Sequence, residues 1–320
     1  MNAIMIMCHK NLAQVERLIK QCRSDNTKII VHFDKKMQIS DAELENFKNQ
    51  KRGGVYLTRK RLSGVLDTRS LVDITFLMID RVKEIENEEN LYFKYFILLS
   101  GQDYIIKPIW FINEELAKNY PKPFIDCTPY DKSNWIYKKF RYGKNLMVYR
   151  RWVSRNFHKT IFRRTFRVPE LIARKILSVL HKTDYDYFVR QGINIYGGSA
   201  WWILPDKAIN YILEERQANE KWFGRLLNTE TPEETFFQTL TMRSPVKDLV
   251  EINPKDMVAQ NCKTWAYFSD VDKPFNGHPY VFTENEYEKL IEKNCWFARK
   301  FDIMISEKIF DMLDEYRKNF

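Results

Sequence analysis

Short runs of apolar residues alternate with amphipathic stretches over the first 130 residues of the chain. The runs are AIMIMC (3–8), KIIVHFD (28–34), VYLT (55–58) and YFILLS (95–100). After the first run, Leu12, Val15, Leu18 and Ile19 recur at helical spacing. Strands that are apolar throughout and alternate with helices are typical of a parallel sheet covered on both faces. We therefore predict an α/β fold with a mostly parallel central sheet flanked by helices.

The sheet pattern stops near residue 130 and resumes after residue 192. INIYGGSAWWILP (193–205) predicts one strand with two glycines in its middle, which indicates a bulge or a close approach of a ligand or another backbone. Helices are predicted at 206–216 and 232–241, and the last 40 residues predict two helices joined by a short basic loop. We expect one large domain made of residues 1–130 and 193–320, with an insertion at 131–192.

Positive charge is concentrated in this insertion. The chain has 52 Lys+Arg, 42 Asp+Glu and a net charge of +10, but residues 138–182 contain 14 of the bases and one acid, Glu170. Aromatic residues lie between these bases, and a helix from Pro169 and Glu170 to Leu180 is predicted. A basic segment of this kind suits phosphate groups of a nucleotide, of nucleic acid or of a membrane surface.

The cysteines and the hydropathy indicate the cellular compartment of the protein. The five cysteines are scattered and form no C-x-x-C pair, which favours reduced thiols in the cytoplasm. No run of about 18 apolar residues occurs, so no membrane span is predicted.

The glycine-rich phosphate-binding motifs are absent from the sequence. There is no G-x-G-x-x-G after the first strand and no G-x-x-x-x-G-K-[ST], so a nucleotide would be held by side chains or a metal. Asp184/Asp186 and Asp270/Asp272 form Asp-x-Asp strings, but neither string follows an apolar strand. We interpret both as ordinary loop acids and predict no metal site.

Five motifs together point to a family. They are HFDKK (32–36), LSGQDYIIKP (99–108), GGSAWWIL (197–204), TPEETFFQTL (231–240) and FARKFD (297–302). In this order they resemble the core-2/I-branching β-1,6-N-acetylglucosaminyltransferase and peptide xylosyltransferase family. The resemblance implies an inverting, metal-independent glycosyltransferase of GT-A fold and bacterial type, which needs no cofactor.

The resemblance also implies the substrates. The donor is a UDP-sugar, with N-acetylglucosamine favoured and xylose as the alternative, and the acceptor is a hydroxyl of a glycan or a lipid-linked glycan. Residues 1–130 then form the donor half and residues 193–320 the acceptor half, which carries the catalytic base and the diphosphate site.

Glu234 matches the family's general base. An inverting transfer requires a base at the acceptor hydroxyl while the UDP leaves from the other face of the sugar. The same residues also fit a capping box, in which Thr231 begins a helix and Glu234 reaches back to its backbone. Glu233 is expected only to complement the helix dipole.

Lys300 matches the family's pyrophosphate-binding lysine, and Arg299 beside it is a second candidate. Where relatives carry another phosphate-binding arginine, this chain has Gly277-His278-Pro279. His278 substitutes only in part, because histidine is largely neutral at pH 7.

The remaining expectations concern nucleoside and sugar contacts. His9 and Asp34 follow the first two strands and are expected at the uridine and ribose; Asp103 is expected near the donor sugar or in the loop that holds it. The expected sugar contacts are Gly198, Ser199, Trp201, Trp265 and Tyr267. Trp201 and Trp202 should point to opposite faces of their strand, so one of them belongs to the core.

The basic segment 138–182 leaves several hypotheses open. It could bind an anionic membrane, which suits a cytoplasmic enzyme at the inner membrane face that builds a polysaccharide on a lipid carrier. It could also be a solvated basic loop. The competing classes are a nucleic-acid-binding protein and an inactive membrane-bound scaffold of the same fold. The nucleic-acid class leaves Glu234 and the SGQD motif unexplained, and we expect no nucleic-acid partner.

Overall fold

The computed structural model describes residues 1–65, 68–131, 135–140, 146, 149, 153, 160–180, 182–218, 220–253, 261–268 and 278–320. In these ranges the strands are β1 (Asn2–Cys8), β2 (Thr27–Phe33), β3 (Val55–Leu57), β4 (Tyr95–Ser100), β5 (Asp103–Ile105), β6 (Thr128–Pro129), β7 (Tyr196–Gly197), β8 (Trp202–Pro205), β9 (Thr264–Ala266) and β10 (Phe297–Arg299).

The helices of the same ranges are α1 (Leu12–Cys22), α2 (Asp41–Asn49), α3 (Ser70–Glu89), α4 (Ile109–Asn119), α5 (Trp135–Phe140), α6 (Thr160–Val179), α7 (Asp184–Arg190), α8 (Asp206–Ala218), α9 (Lys221–Leu226), α10 (Phe236–Thr241), α11 (Tyr287–Glu292) and α12 (Glu307–Lys318). Short 3-10 turns occupy Gln50–Gly53, Pro232–Glu234, Lys247–Leu249 and Glu284–Glu286.

The central sheet has the order β3-β2-β1-β4-β8. The first four strands are parallel, and β8 runs antiparallel to β4. Along β1, Ala3 and Met5 enter the core that contains α3 residues, whereas Ile4 and Ile6 enter the core that contains α1 residues. Both faces of the sheet are therefore covered, which explains the continuous apolar runs and confirms the predicted fold class.

The predicted strand 193–205 is wrong, because this stretch forms two strands in different sheets. β7 pairs with β6 in a separate ribbon, and β8 joins the central sheet. Gly198 lies at the break, where a Cβ would stand 1.8 Å from the backbone oxygen of Asp126. Only glycine allows the two backbones to approach this closely, and the chain changes sheets at this point.

A second sheet joins residues 103–105 to the C-terminal part of the chain. β10 pairs antiparallel with β5 and parallel with β9. Arg299 therefore ends a strand and does not lie in the predicted basic loop. β5, β9 and β10 lack a long apolar run of their own, and β10 pairs with β5 about 190 positions away, so no local pattern marks this sheet.

The helix predicted from Pro169 begins earlier. α6 starts at Thr160 and contains Pro169 in its interior. Proline favours the first turn of a helix, and in the interior it removes one hydrogen bond and crowds the carbonyl four residues earlier. The helix nevertheless continues through Pro169, so this preference did not mark its start.

Candidate active site

The carboxyl ends of β1 and β2 place His9 and Asp34 side by side. The backbone N–H of Asp34 donates to the carbonyl of Cys8 at 2.7 Å. The Asp34 carboxylate accepts the N–H of Lys36 on Oδ1 at 2.7 Å and the N–H of Gly64 on Oδ2 at 2.6 Å. Asp34 thus holds two loops at this edge of the sheet, and its expected nucleoside contact stays a prediction.

Asp103 is fully buried just after β4. Its Oδ2 accepts the N–H of Ser100 at 2.8 Å, and its Oδ1 lies 3.6 Å from Nη1 of Arg299. Burial raises the pKa of Asp103 to about 6, although Arg299 and the Ser100 N–H oppose the shift. Within the described part of the chain, neither Oδ1 of Asp103 nor Nη1 of Arg299 has a hydrogen-bond partner.

Arg299 lies between an acid and an aromatic ring. Its guanidinium carbon is 4.3 Å from the ring centre of Trp201, a stacked cation–π arrangement. Trp202 is fully buried and contacts Phe237 with 4.8 Å between ring centres. One of the two tryptophans therefore belongs to the core as expected, and the partly buried Trp201 lies against Arg299.

Basic groups cluster around Lys300. Partial burial lowers the pKa of Lys300 most, and the charges of Arg299 and Lys10 lower it further. The pKa of His9 is likewise lowered by desolvation and then by Lys10 and Lys300, although much of the ring is exposed. Lys10 also forms an ion pair with Asp302 at 2.7 Å. The mutual repulsion of these groups makes the site favourable for an anion.

Glu234 ends the 3-10 turn Pro232–Glu234, and α10 begins only at Phe236. The capping-box alternative is wrong, because Thr231 has a left-handed φ of 45° and its side chain makes no capping hydrogen bond. An N-cap residue normally has extended backbone angles. Glu233 lies in the first turn of the same 3-10 segment and is buried, so its expected helix-dipole role stays a prediction.

Lys139 of α5 contacts the carboxylate of Glu234. The Nζ of Lys139 lies 2.6 Å from Oε2 of Glu234, donates to the hydroxyl of Thr231 and lies 5.0 Å from the ring centre of Trp135. No local pattern in the sequence indicates this contact, because 95 positions separate the lysine from the glutamate. Its only signal was its place at the start of the basic segment.

The segment 198–201 connects the glutamate to the cationic cluster. The N–H of Gly198 donates to the carbonyl of Glu234 at 2.9 Å, and the carbonyl of Ser199 accepts Nε2 of Gln238 at 2.6 Å. Trp201, which stacks on Arg299, is three residues beyond Gly198. Three residues span at most about 11 Å, so the turn that carries Glu234 and the ring that contacts Arg299 are attached to the two ends of one short segment.

The other expected sugar contacts are less exposed. Trp265 and Tyr267 are almost fully buried and pack on Phe282 with ring centres 5.3 and 5.6 Å apart. Little ring surface is left for a sugar, so their expected role stays a prediction with weaker support. His278 is exposed, while Gly277 lies outside the described residues.

The two acids of the first Asp-x-Asp string make structural contacts. Asp186 closes a capping box with Thr183, and Asp184 forms an ion pair with Arg225 at 2.7 Å. Both acids belong to α7, where the sequence analysis expected a loop. Asp270 and Asp272 lie outside the described residues. In the ranges that are described, no group of three or more His, Cys, Asp or Glu residues is placed to hold a metal ion.

Comparison with known families assigns the chain. The model of the Core-2/I-Branching enzyme family matches residues 3–291. The chain therefore belongs to the Core-2/I-branching enzyme family, a family of glycosyltransferases. The expected family is confirmed. Arg299 and Lys300 lie beyond the matched residues, so their assignment depends on the geometry.

Two curated relatives are xylosyltransferases. The xylosyltransferase sqv-6 of Caenorhabditis briggsae is 24% identical and that of Caenorhabditis elegans 23% identical, over 92% of this chain and 34% of each relative. The chain thus spans about a third of the length of the curated relatives it matches. Among solved structures, a Bacillus anthracis protein described as a glucose-1-phosphate thymidylyltransferase has 13% identity and a TM-score of 0.26, covering 41% of this chain and 56% of its own.

Proposed function

We propose that the chain is an inverting glycosyltransferase that moves a sugar from a UDP-sugar to a hydroxyl of a glycan or glycoconjugate. One observation carries the proposal: the segment 198–201 holds Glu234 at one end through Gly198 and Arg299 at the other through Trp201. The turn that carries the carboxylate and the first residue of the cationic cluster are thereby attached to one short segment, which supports a displacement with an anionic leaving group.

Glu234 is the proposed general base. It accepts the proton of the acceptor hydroxyl as the oxygen bonds to the anomeric carbon, and the bond from that carbon to the UDP oxygen breaks on the opposite face. The side chain is 38% exposed, so an acceptor has access to it. Gly198 and Ser199 then lie beside the sugars because of their contacts with Glu234 and α10.

Lys300 and Arg299 are proposed to neutralise the leaving diphosphate without a metal ion. A diphosphate would relieve the repulsion among His9, Lys10 and Lys300, and Nη1 of Arg299 would gain an acceptor. Asp103 holds Arg299 in place. His9 and Asp34, at the adjacent strand ends, are the proposed nucleoside contacts.

The donor sugar has two candidates. N-acetylglucosamine is favoured by the motif resemblance. Xylose is the second candidate, because both curated relatives reported above are named xylosyltransferases.

The proposed location is the cytoplasmic face of a membrane, where a lipid-linked glycan would be the acceptor. All five cysteines are buried thiols, which supports a reducing compartment. No helix in the described ranges is long and apolar enough to cross a bilayer.

UDP release from a panel of UDP-sugars tests the function. Wild-type protein with an acceptor panel should release UDP in the presence of EDTA. Glu234→Gln should reduce turnover about 100-fold or more, whereas the exposed control Glu220→Gln should not. Unchanged turnover in Glu234→Gln would rule out this base. Activity that disappears with EDTA and returns with Mn²⁺ would contradict the metal-free diphosphate site.

A further inference from the structure

The outer face of α6 carries a stripe of exposed aliphatic side chains. The stripe consists of Val168, Leu171, Ile172, Ile176, Val179 and Leu180, which are between 48 and 71% exposed. Spacings of three and four residues place them on one side of the helix. Monomeric soluble proteins seldom expose a contiguous apolar surface of this kind without a binding role.

The other face of α6 packs on residues of the insertion. Ala173 and Leu177 pack with Leu146 and Tyr149, and Glu170 is only 5% exposed. The α6 stripe is therefore not the face that packs on these residues. The helix presents one apolar face inward and a second one outward.

The charge around the α6 stripe selects the partner. Residues 138–182 contain 14 lysines and arginines in sequence; of these, Lys175 is exposed on α6 next to Ile176 and Lys182 is exposed just beyond the helix. Their one acid, Glu170, is buried. An aliphatic stripe with flanking basic residues matches the boundary between headgroups and acyl chains of an anionic bilayer. Nucleic acid would bind the basic residues and stack its bases on aromatic rings, but it would not bury a stripe of aliphatic side chains. A second copy of the chain would present the same positively charged surface, and the two surfaces would repel each other.

We propose that α6 docks flat on an anionic lipid bilayer, with the α6 stripe at the acyl boundary and the basic residues against headgroup phosphates. The purpose of this docking rests on the proposed function. At the other end of the basic segment, α5 brings Lys139 to Glu234. Docking through α6 would bring the enzyme to a membrane that carries a lipid-linked acceptor.

Vesicle flotation tests the docking with phosphatidylcholine vesicles that contain or lack phosphatidylglycerol. The wild-type chain should float with the phosphatidylglycerol vesicles and remain below with phosphatidylcholine alone. The double variant Ile172→Glu with Ile176→Glu should bind the phosphatidylglycerol vesicles at least roughly tenfold more weakly than wild type. The reason is that it removes apolar burial at the centre of the stripe. The control double variant Leu249→Glu with Met312→Glu adds the same two acids at exposed apolar positions elsewhere and should bind like wild type.

The outcomes separate docking from catalysis. Equal flotation of the two double variants, or no flotation of wild type, would overturn the docking. A stripe variant that changes the oligomeric state in sedimentation, while wild type does not float, would make the stripe an interface between copies. UDP release with a soluble acceptor should be unchanged in the folded stripe variant. Wild type that floats but releases no UDP would overturn the proposed function and leave the docking intact.

Discussion

The ammonium group of Lys139 lies 2.6 Å from the carboxylate of Glu234. The lysine is largely buried, with 14% of its side chain exposed, and it also contacts Thr231 at the start of the same turn. The basic segment therefore reaches into the candidate active site with its first residues. This contact gives Lys139 a role in orienting the proposed base.

We expect Lys139→Met to lower kcat by roughly 10- to 100-fold and to leave the KM for the donor nearly unchanged, because a misplaced base slows the proton transfer without removing a donor contact. Lys139→Arg should restore part of the loss. Lys122→Met, which removes an ion pair with Glu251 on the surface, is the matched control. Steady-state kinetics on these variants measure kcat and KM. Full activity in Lys139→Met would show that the ion pair does not orient the base.

Lys300→Met should weaken UDP binding by about 10- to 100-fold, since it removes a charge-assisted hydrogen bond to the diphosphate. Lys308→Met is the control, because Lys308 is 78% exposed and pairs with Glu284. Isothermal titration calorimetry with UDP measures both affinities. If the two variants bind UDP equally well, Lys300 is not a diphosphate ligand.

Asp103 should make stability depend on pH. Its pKa of about 6 in the folded protein lies above the ordinary value of 3.8, so the folded state binds the proton more tightly than the unfolded chain. Lowering the pH from 7 to 5 therefore stabilises the fold through this residue, by about 1 kcal/mol.

Asp103→Asn removes this contribution. The variant's free energy of unfolding should gain about 1 kcal/mol less than that of wild type between pH 7 and pH 5. Urea denaturation at the two pH values gives both numbers. Parallel changes in the two proteins would show that Asp103 does not titrate in this range.

Gly198→Ala should destabilise the fold by about 1–3 kcal/mol, because its Cβ would overlap the backbone of Asp126. It should also reduce turnover, since Gly198 binds the turn that carries Glu234. Gly224→Ala is the control: no atom lies within 4 Å of its added Cβ, and alanine favours the α9 helix by about 0.5–1 kcal/mol. Thermal unfolding and UDP release should separate the two variants, and equal stability would contradict the close approach at Gly198.

Elements with a strong local pattern could be predicted from the sequence. The four parallel strands β1 to β4 are continuous apolar runs, and the start of α2 carries a capping box between Ser40 and Glu43 that the structure contains. By contrast β5, β9 and β10 have three residues each, and their pairing partners are up to about 200 positions away. No local pattern specifies such pairs.

The candidate site was likewise predicted only in part from the sequence. Glu234, Arg299 and Lys300 were identified by motif resemblance, and the family match supports the class of enzyme. The stacking of Arg299 on Trp201 and the contact of Lys139 with Glu234 were not predicted. Their partners come from different elements, and side-chain type alone does not reveal which surfaces meet.

The sequence by itself determined the parallel α/β core, the family and the basic segment, because hydrophobic period, motif order and charge are properties of the chain. Only the tertiary structure decided that the stretch 193–205 changes sheets at Gly198, that β10 brings Arg299 to Asp103, and that α6 leaves an apolar stripe exposed. The reason is physical: these features depend on how closely two backbones approach and on which face of a helix is buried, and both are settled by packing between distant segments.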